Sequence, residues 1–365
     1  MFLIVTRNFP PEVGGMQILM GGLSDNLLNH GPVKVFTYEV EKADNYDKQS
    51  SLNIERVKGI KLFRKYRKAN LVNNFINENH NIRALISDHW KSLELIKTEH
   101  FKKVKTFCLL HSKEINHEVG SSLNKRLIRS TNNADYIIAN SNFTKELAIK
   151  VGINKSKINI IFPGIQKPKN IENILKIKEE KIFEDSFPKI ITVSRLDKRK
   201  GHDKILMLIK NLKIKYPKIK YVSIGFGKEE KNLSNLSKEL QLNKEVIFLK
   251  NINQELKTAL LSEANLFLMP NRIEKKSVEG FGISFIEAAS HNVGSIGGKD
   301  GGSPDAIKHN KTGFICDGND LNSIYDSVIN FFKNDKFIEL GNNAKVFSEA
   351  FHWDKVVKKY LKLIN

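Results

Sequence analysis

The chain of 365 residues is poor in the features that staple or span: it has two cysteines, nine prolines and two tryptophans. Cys108 and Cys316 lie far apart, each inside an apolar stretch, so a disulfide framework and a cysteine-built metal cluster are both excluded as organising devices, and a reducing cytoplasm is the expected setting. No uninterrupted apolar run approaches the roughly 18 residues of a membrane span, and Met1–Arg7 carries neither the basic head nor the apolar length of a secretory signal. Acidic side chains are also scarce, 40 against 60 Lys and Arg, a formal charge of +20 that favours phosphate-rich partners: nucleotides, anionic lipid headgroups or nucleic acid. What is present is ordinary for a folded protein, with 40% hydrophobic and 27% charged residues. That composition excludes disorder, collagen and coiled coil, and the length is about twice what one core of roughly 150 residues needs.

Short β-branched runs alternate with helix-length polar segments along the whole chain. Residues 2–6, 33–37, 84–87, 104–110 and 136–140 read as buried strands in the first half, and 189–194, 221–225, 246–249, 266–269 and 294–297 in the second. Between residues 3 and 27 the order is strand, then Pro10, Pro11, Gly14 and Gly15, then apolar positions Met16, Leu19, Met20, Leu23 and Leu27 at helical spacing. The expected class is α/β: two doubly wound, Rossmann-like domains with parallel sheets. Their expected bounds are 1–166, a Lys- and Glu-rich linker over 167–188, and 189–349. No period of 20–50 residues marks a solenoid.

The most informative segment runs from Ser277 to Ala289. Glu279 precedes the turn Gly280-Phe281-Gly282, and Glu287 lies eight positions beyond Glu279 on the helix that follows. A helix opening at Gly282 leaves the amides of Gly282, Ile283 and Ser284 unpaired and, with the helix dipole, suited to a nucleotide diphosphate. Glu287 is placed to accept hydrogen bonds from a ribose diol and Glu279 to hold sugar hydroxyls. A second segment, Ser194 to Asp203, sets Arg195 and Lys200 just after a buried strand, where two cations can neutralise a leaving diphosphate without a metal. Each segment by itself also fits a plain surface turn with solvated charges.

Together with Phe9-Pro10-Pro11-Glu12-Val13-Gly14-Gly15-Met16, His111 to Glu114, Asn140 to Lys145 and Pro163-Gly164-Ile165, these segments resemble the retaining nucleotide-sugar glycosyltransferases of family four. In wording, Ser277 to Ile283 is most similar to phosphatidylinositol mannosyltransferase-like members. The resemblance implies the GT-B fold, two Rossmann-like domains facing each other, with residues 350–365 returning as a helix to the first. It further implies Gly14 and Gly15 facing the donor diphosphate, His111 near the reacting carbon, Arg195 and Lys200 on the phosphates, and Glu279 on the sugar. Gly282 and Ile283 would meet the phosphate through their amides, and Glu287 the ribose. The donor would be a UDP- or GDP-hexose, bound as substrate, with no cofactor and no metal. Two positions depart from the family pattern. Lys250 replaces a glycine, leaving Asn251 and Ile252 to line the base pocket, and Ser112 replaces the glycine after His111.

For the acceptor, residues 56–68 form a cationic stretch with Lys61, Arg64, Lys65 and Lys68 around Leu62, Phe63 and Tyr66 and no acid among them. Lys125, Arg126 and Arg129 form a second cluster. The first suits an anionic bilayer, the second falls just after His111, where the resemblance places acceptor binding, and a solvated face is the alternative for both. The expectation is a glycolipid-forming hexosyltransferase, cytoplasmic and peripheral on the inner face of the membrane. A transferase of lipopolysaccharide or exopolysaccharide assembly is the alternative within enzymes. A nucleic-acid-binding protein has only charge in its favour, since RNP, KH, helix-turn-helix and zinc signatures are missing.

Overall fold

The computed structural model describes residues 1–168 and 182–365, in two compact units: Met1–Gln166 with Phe351–Asn365, and Lys167–Ala350. Much of the expected 167–188 linker lies outside the described residues.

The first unit holds a parallel seven-stranded sheet in the order β3-β2-β1-β4-β5-β6-β7. Its strands are β1 (Phe2–Val5), β2 (Val33–Tyr38), β3 (Asn53–Val57), β4 (Ala84–Ser87), β5 (Lys105–Leu110), β6 (Tyr136–Ala139) and β7 (Ile158–Ile160). The helices between them are α1 (Gly15–Leu27), α2 (Ala43–Gln49), α3 (Arg64–Glu78), α4 (Trp90–Leu93), α5 (Ser122–Asn132) and α6 (Asn142–Lys150). Every residue of β1 and β4 is buried because helices cover both faces, which is why these strands read as unbroken apolar runs rather than alternating ones. Leu3 and Val5 join one hydrophobic cluster and Phe2 and Ile4 the other, so the period of two divides each strand between two cores. Strand β3 escapes that signature. It is an edge strand with one buried residue, Val57, and its sequence Asn-Ile-Glu-Arg-Val offers no apolar run.

The second unit repeats the plan with a six-stranded parallel sheet in the order β10-β9-β8-β11-β12-β13. Its elements are β8 (Lys189–Val193), α7 (His202–Lys215), β9 (Lys220–Ile224), α8 (Glu230–Glu239), β10 (Val246–Leu249), α9 (Gln254–Glu263), β11 (Leu266–Met269), α10 (Ile283–Ser290), β12 (Ser295–Gly298), α11 (Ser303–Ala306), β13 (Gly313–Cys316), α12 (Leu321–Phe332) and α13 (Lys336–Ser348). The two sheets change winding direction between β1 and β4 and between β8 and β11, and in open parallel sheets ligands gather at the carboxyl ends of the strands at such points.

The last helix, α14 (Trp353–Ile364), belongs to the first unit. It buries Trp353, Val356, Val357, Tyr360 and Ile364, a stripe at helical spacing. Trp353 lies between Gly22 of α1 and Gly164. A Cβ at either glycine would overlap the indole, so both positions are glycine because the ring comes against the backbone.

Candidate active site

In the second unit, side chains singled out in the sequence gather beyond the carboxyl ends of β8 and β11. Lys200 is buried, and its ammonium donates to Glu279 Oε2 and lies 3.4 Å from Met269 Sδ at the end of β11. The guanidinium of Arg199 bonds the same carboxylate oxygen at 2.8 Å. Burial pushes the Glu279 carboxyl up, but Lys200 and then Arg199 outweigh it and bring it down to about 2, so Glu279 is an anion between two cations. Burial lowers Lys200, an effect that Glu279 opposes and Arg199 reinforces. Arg195 stands apart from this trio: it pairs with Asp197 at 3.1 Å and leaves 62% of its side chain exposed.

The loop bearing Arg195 is pinned from beneath by a hydrogen-bond chain. Thr192 donates to the Leu268 carbonyl, so it accepts from the Tyr221 hydroxyl at 3.1 Å. That hydroxyl lies 3.0 Å from His202 Nδ1, and His202 Nε2 lies 3.0 Å from Ser194 Oγ, at the start of the loop. Burial, with Lys200 next, holds the His202 ring down to about 4, so it is neutral and bridges without adding charge.

Glu279 is followed by Gly282 at φ +92, a left-handed position that caps α10 and favours glycine. The amides of Gly282, Ile283 and Ser284 fall in the first turn, before the intrahelical ladder begins, and form an electropositive helix end. Glu287 sits on the second turn, with its Oε1 3.2 Å from Lys257 of α9. The segment after β11 is braced by Asn271. Its Oδ1 accepts from the Gly298 amide at 3.1 Å and the Ser303 hydroxyl at 2.8 Å, while its Nδ2 donates to the Asp300 carbonyl at 2.8 Å. Asn251 is left-handed at φ +55 and exposed, with Ile252 half-buried beside it.

In the first unit, His111 follows β5. Its Nε2 is 3.0 Å from the Asp88 carbonyl, which can only accept, so the proton is on Nε2. Its amide donates to Glu114 Oε1 at 2.5 Å. Ser112 adopts φ +89, so the conformation a glycine would supply is kept without the glycine. Gly14 caps α1 in extended backbone, and a Cβ on Gly15 would meet nothing within 4 Å.

Residues 13–167 match Glycosyltransferase Family 4, and residues 173–347 match Glycosyl transferases group 1. The chain belongs to glycosyltransferase family 4. A GDP-mannose-dependent alpha-(1-6)-phosphatidylinositol monomannoside mannosyltransferase of Mycolicibacterium smegmatis is 24% identical over 347 residues, covering 89% of this chain and 87% of that protein. The N-acetyl-alpha-D-glucosaminyl L-malate synthase of Bacillus anthracis is 28% identical over 58% of each. Among solved structures, Anabaena HepE in complex with UDP superposes with a TM-score of 0.82 at 16% identity, over 100% of this chain and 99% of that one. This family 4 glycosyltransferase therefore has the GT-B fold.

The structure of the glycosyltransferase corrects one expected surface cation. Lys68 is buried on α3, where its ammonium donates to the Thr6 carbonyl at 2.7 Å and lies 4.2 Å from the centre of the Tyr38 ring, so it is no part of a membrane-facing patch. Its position on the helix face that packs on the sheet decides this, and composition does not reveal that face. Arg126 is tied to Glu94 by two bonds of 2.6 and 2.9 Å, and Arg64 donates to the Glu39 carbonyl at 3.3 Å. Lys61, Lys65, Lys125 and Arg129 are exposed. Sequence reasoning missed Arg199, although it stands beside Lys200. It also missed Asn271 and the Arg272–Asp203 pair at 2.9 and 3.0 Å, which no local motif marks. Among the described residues no group of three or more His, Cys, Asp or Glu side chains could hold a metal ion, and no helix is long and apolar enough to cross a membrane.

Proposed function

We propose that the protein is a retaining hexosyltransferase that moves a sugar from a nucleotide diphosphate to a hydroxyl of a membrane-lipid acceptor. The observation that carries this reading is the buried Arg199–Lys200–Glu279 cluster beside the free amides of Gly282, Ile283 and Ser284. A nucleoside diphosphate leaves with several negative charges, and this end of the second unit offers main-chain donors, a helix dipole and fixed cations, with Arg195 exposed nearby. The HepE complex with UDP supports a nucleotide-sugar donor, and the mannosyltransferase relative supports a hexose and a lipid acceptor.

In the proposed reaction the acceptor oxygen bonds to the anomeric carbon on the face from which the diphosphate departs. The bond from that carbon to the phosphate oxygen breaks, and the acceptor proton passes to the leaving phosphate. No enzyme nucleophile is needed, and catalysis rests on positioning and charge stabilisation. Glu279 orients Lys200 and Arg199 through its doubly bonded Oε2 and leaves Oε1 for a sugar hydroxyl. Glu287 serves the ribose, and Asn251 and Ile252 flank the base. No metal takes part.

The proposed membrane attachment at the inner face is supported by the loop before α3 and the first turn of that helix. Ile60, Leu62, Phe63 and Tyr66 are 69, 71, 51 and 49% exposed, and Lys58, Lys61, Lys65 and Arg67 surround them. The test is turnover of purified Lys200→Ala and Glu279→Ala with UDP- and GDP-hexoses and lipid acceptors, with product analysis for configuration. Wild-type rates in either variant refute the assignment, and an inverted product refutes the retaining step.

A further inference from the structure

The first unit carries a second concentration of positive charge that the donor reading leaves unused. At the reversal point between β1 and β4, Val5 pairs with Ser87, and both strands deliver basic residues at their carboxyl ends. Arg7 follows β1, and His89 and Lys91 follow β4. The Arg7 amide donates to Asp88 Oδ2 at 2.8 Å, which locks the two loops together.

His89 is held in one tautomer. Its Nδ1 accepts from the Lys91 amide at 2.9 Å, so the neutral ring carries its proton on Nε2, for which no described residue is a partner. Burial first, then the charges of Arg7, Lys91, His111 and Lys68, push the ring down to about 2, so it stays a neutral donor. Lys91 is likewise lowered by burial and by the neighbouring Arg7 and Arg126.

The nearby carboxylates are already engaged. Asp88 is buried and accepts from the Arg7 amide, from Asn8 at 3.5 Å and from Ser92 at 2.9 Å. Glu94 is taken by Arg126, and Glu114 by the His111 amide. The exposed Arg7 guanidinium and Lys91 ammonium form no ion pair with any described residue.

We propose that Arg7, His89 and Lys91 form an anion subsite on the first unit that takes the phosphate group of a phosphate-ester acceptor. A planar fork, a point charge and a neutral N–H donor suit the several oxygens of a phosphate. The subsite rests on reading the first unit as the acceptor side. The phosphate belongs to a lipid headgroup or to a soluble ester, and the two arms of the test separate these sources.

Binding is measured calorimetrically at low salt with glycerol 3-phosphate and with glycerol, and by co-sedimentation with phosphatidylinositol vesicles and with vesicles of a phosphate-free galactosyl diacylglycerol. The wild-type protein binds the phosphate ester or the phosphatidylinositol vesicles and not their neutral counterparts. Arg7→Gln/Lys91→Gln weakens that binding at least about tenfold. His89→Phe weakens it as well, whereas His89→Gln, which can accept from the Lys91 amide and still donate, retains it. Lys155→Gln, before β7 at the opposite end of the strands, leaves it unchanged. Loss confined to the soluble ester or to the vesicles identifies the source. No phosphate-dependent binding by the wild-type protein, equal binding by the double variant, or equal loss in Lys155→Gln overturns the proposal. UDP and GDP binding is followed in parallel. Intact nucleotide binding without a phosphate effect rejects the subsite alone, whereas phosphate binding without nucleotide binding rejects the donor reading instead.

Discussion

Replacing Glu279 by glutamine removes the anion between two cations while keeping the side-chain shape. The carboxyl at about 2, against its usual 4.5, contributes about 3 kcal/mol of stability at pH 7. Because the folded value is depressed, that contribution is complete above about pH 4.5 and disappears as the pH falls towards 2. Glu279→Gln also leaves the buried Lys200 ammonium facing Arg199 without its counter-charge, so the expected cost is about 3–5 kcal/mol. Adding Lys200→Met to Glu279→Gln removes the stranded charge, so the double variant recovers at least about 1 kcal/mol relative to Glu279→Gln alone. The assay is urea unfolding at pH 7 followed by far-ultraviolet circular dichroism. Both tryptophans, Trp90 and Trp353, lie in the first unit, so their fluorescence reports that unit and serves as an internal control. A loss below about 1 kcal/mol in Glu279→Gln, or a double variant less stable than Glu279→Gln, refutes the idea that the carboxylate holds the two cations in place.

Other consequences can be checked alongside it. His202 and His291 are each lowered from 6.5 to about 4, mainly by burial, so stability should fall as the pH drops from about 6.5 towards 4, and His202→Gln should flatten that slope in pH-resolved unfolding. An unchanged slope contradicts a buried neutral ring. Gly164→Ala should destabilise the first unit by about 1–3 kcal/mol, read as an earlier tryptophan-detected transition, because the added methyl meets the Trp353 indole. Lys68→Met should retain vesicle binding while Lys61→Gln/Lys65→Gln loses it in co-sedimentation. The reverse result would put the buried lysine back on the membrane face.

Much of the fold was legible because both sheets are parallel and covered on both faces. The central strands are continuous apolar runs, as at Phe2–Val5 and Leu266–Met269, whose character owes little to distant contacts. Edge strands such as β3 and β13 take their place from pairing, and their sequences do not announce it. The Gly282 turn was legible for a similar reason: a glycine at a left-handed helix cap and an acid three residues before it are local features, fixed by backbone sterics over a few residues.

The sequence by itself determined the two α/β units and the Gly282 turn, and it singled out Lys200 and Glu279. The tertiary structure decided which charges meet. Arg199 rather than Arg195 shares the Glu279 carboxylate, Lys68 turns inward to the Thr6 carbonyl, and Asp88 takes the main-chain amide of Arg7, 81 positions away, rather than its guanidinium. Those outcomes depend on strand order and on which helix face packs against the sheet, and a charge changes its meaning completely between water and a buried site. Linear spacing carries no record of either.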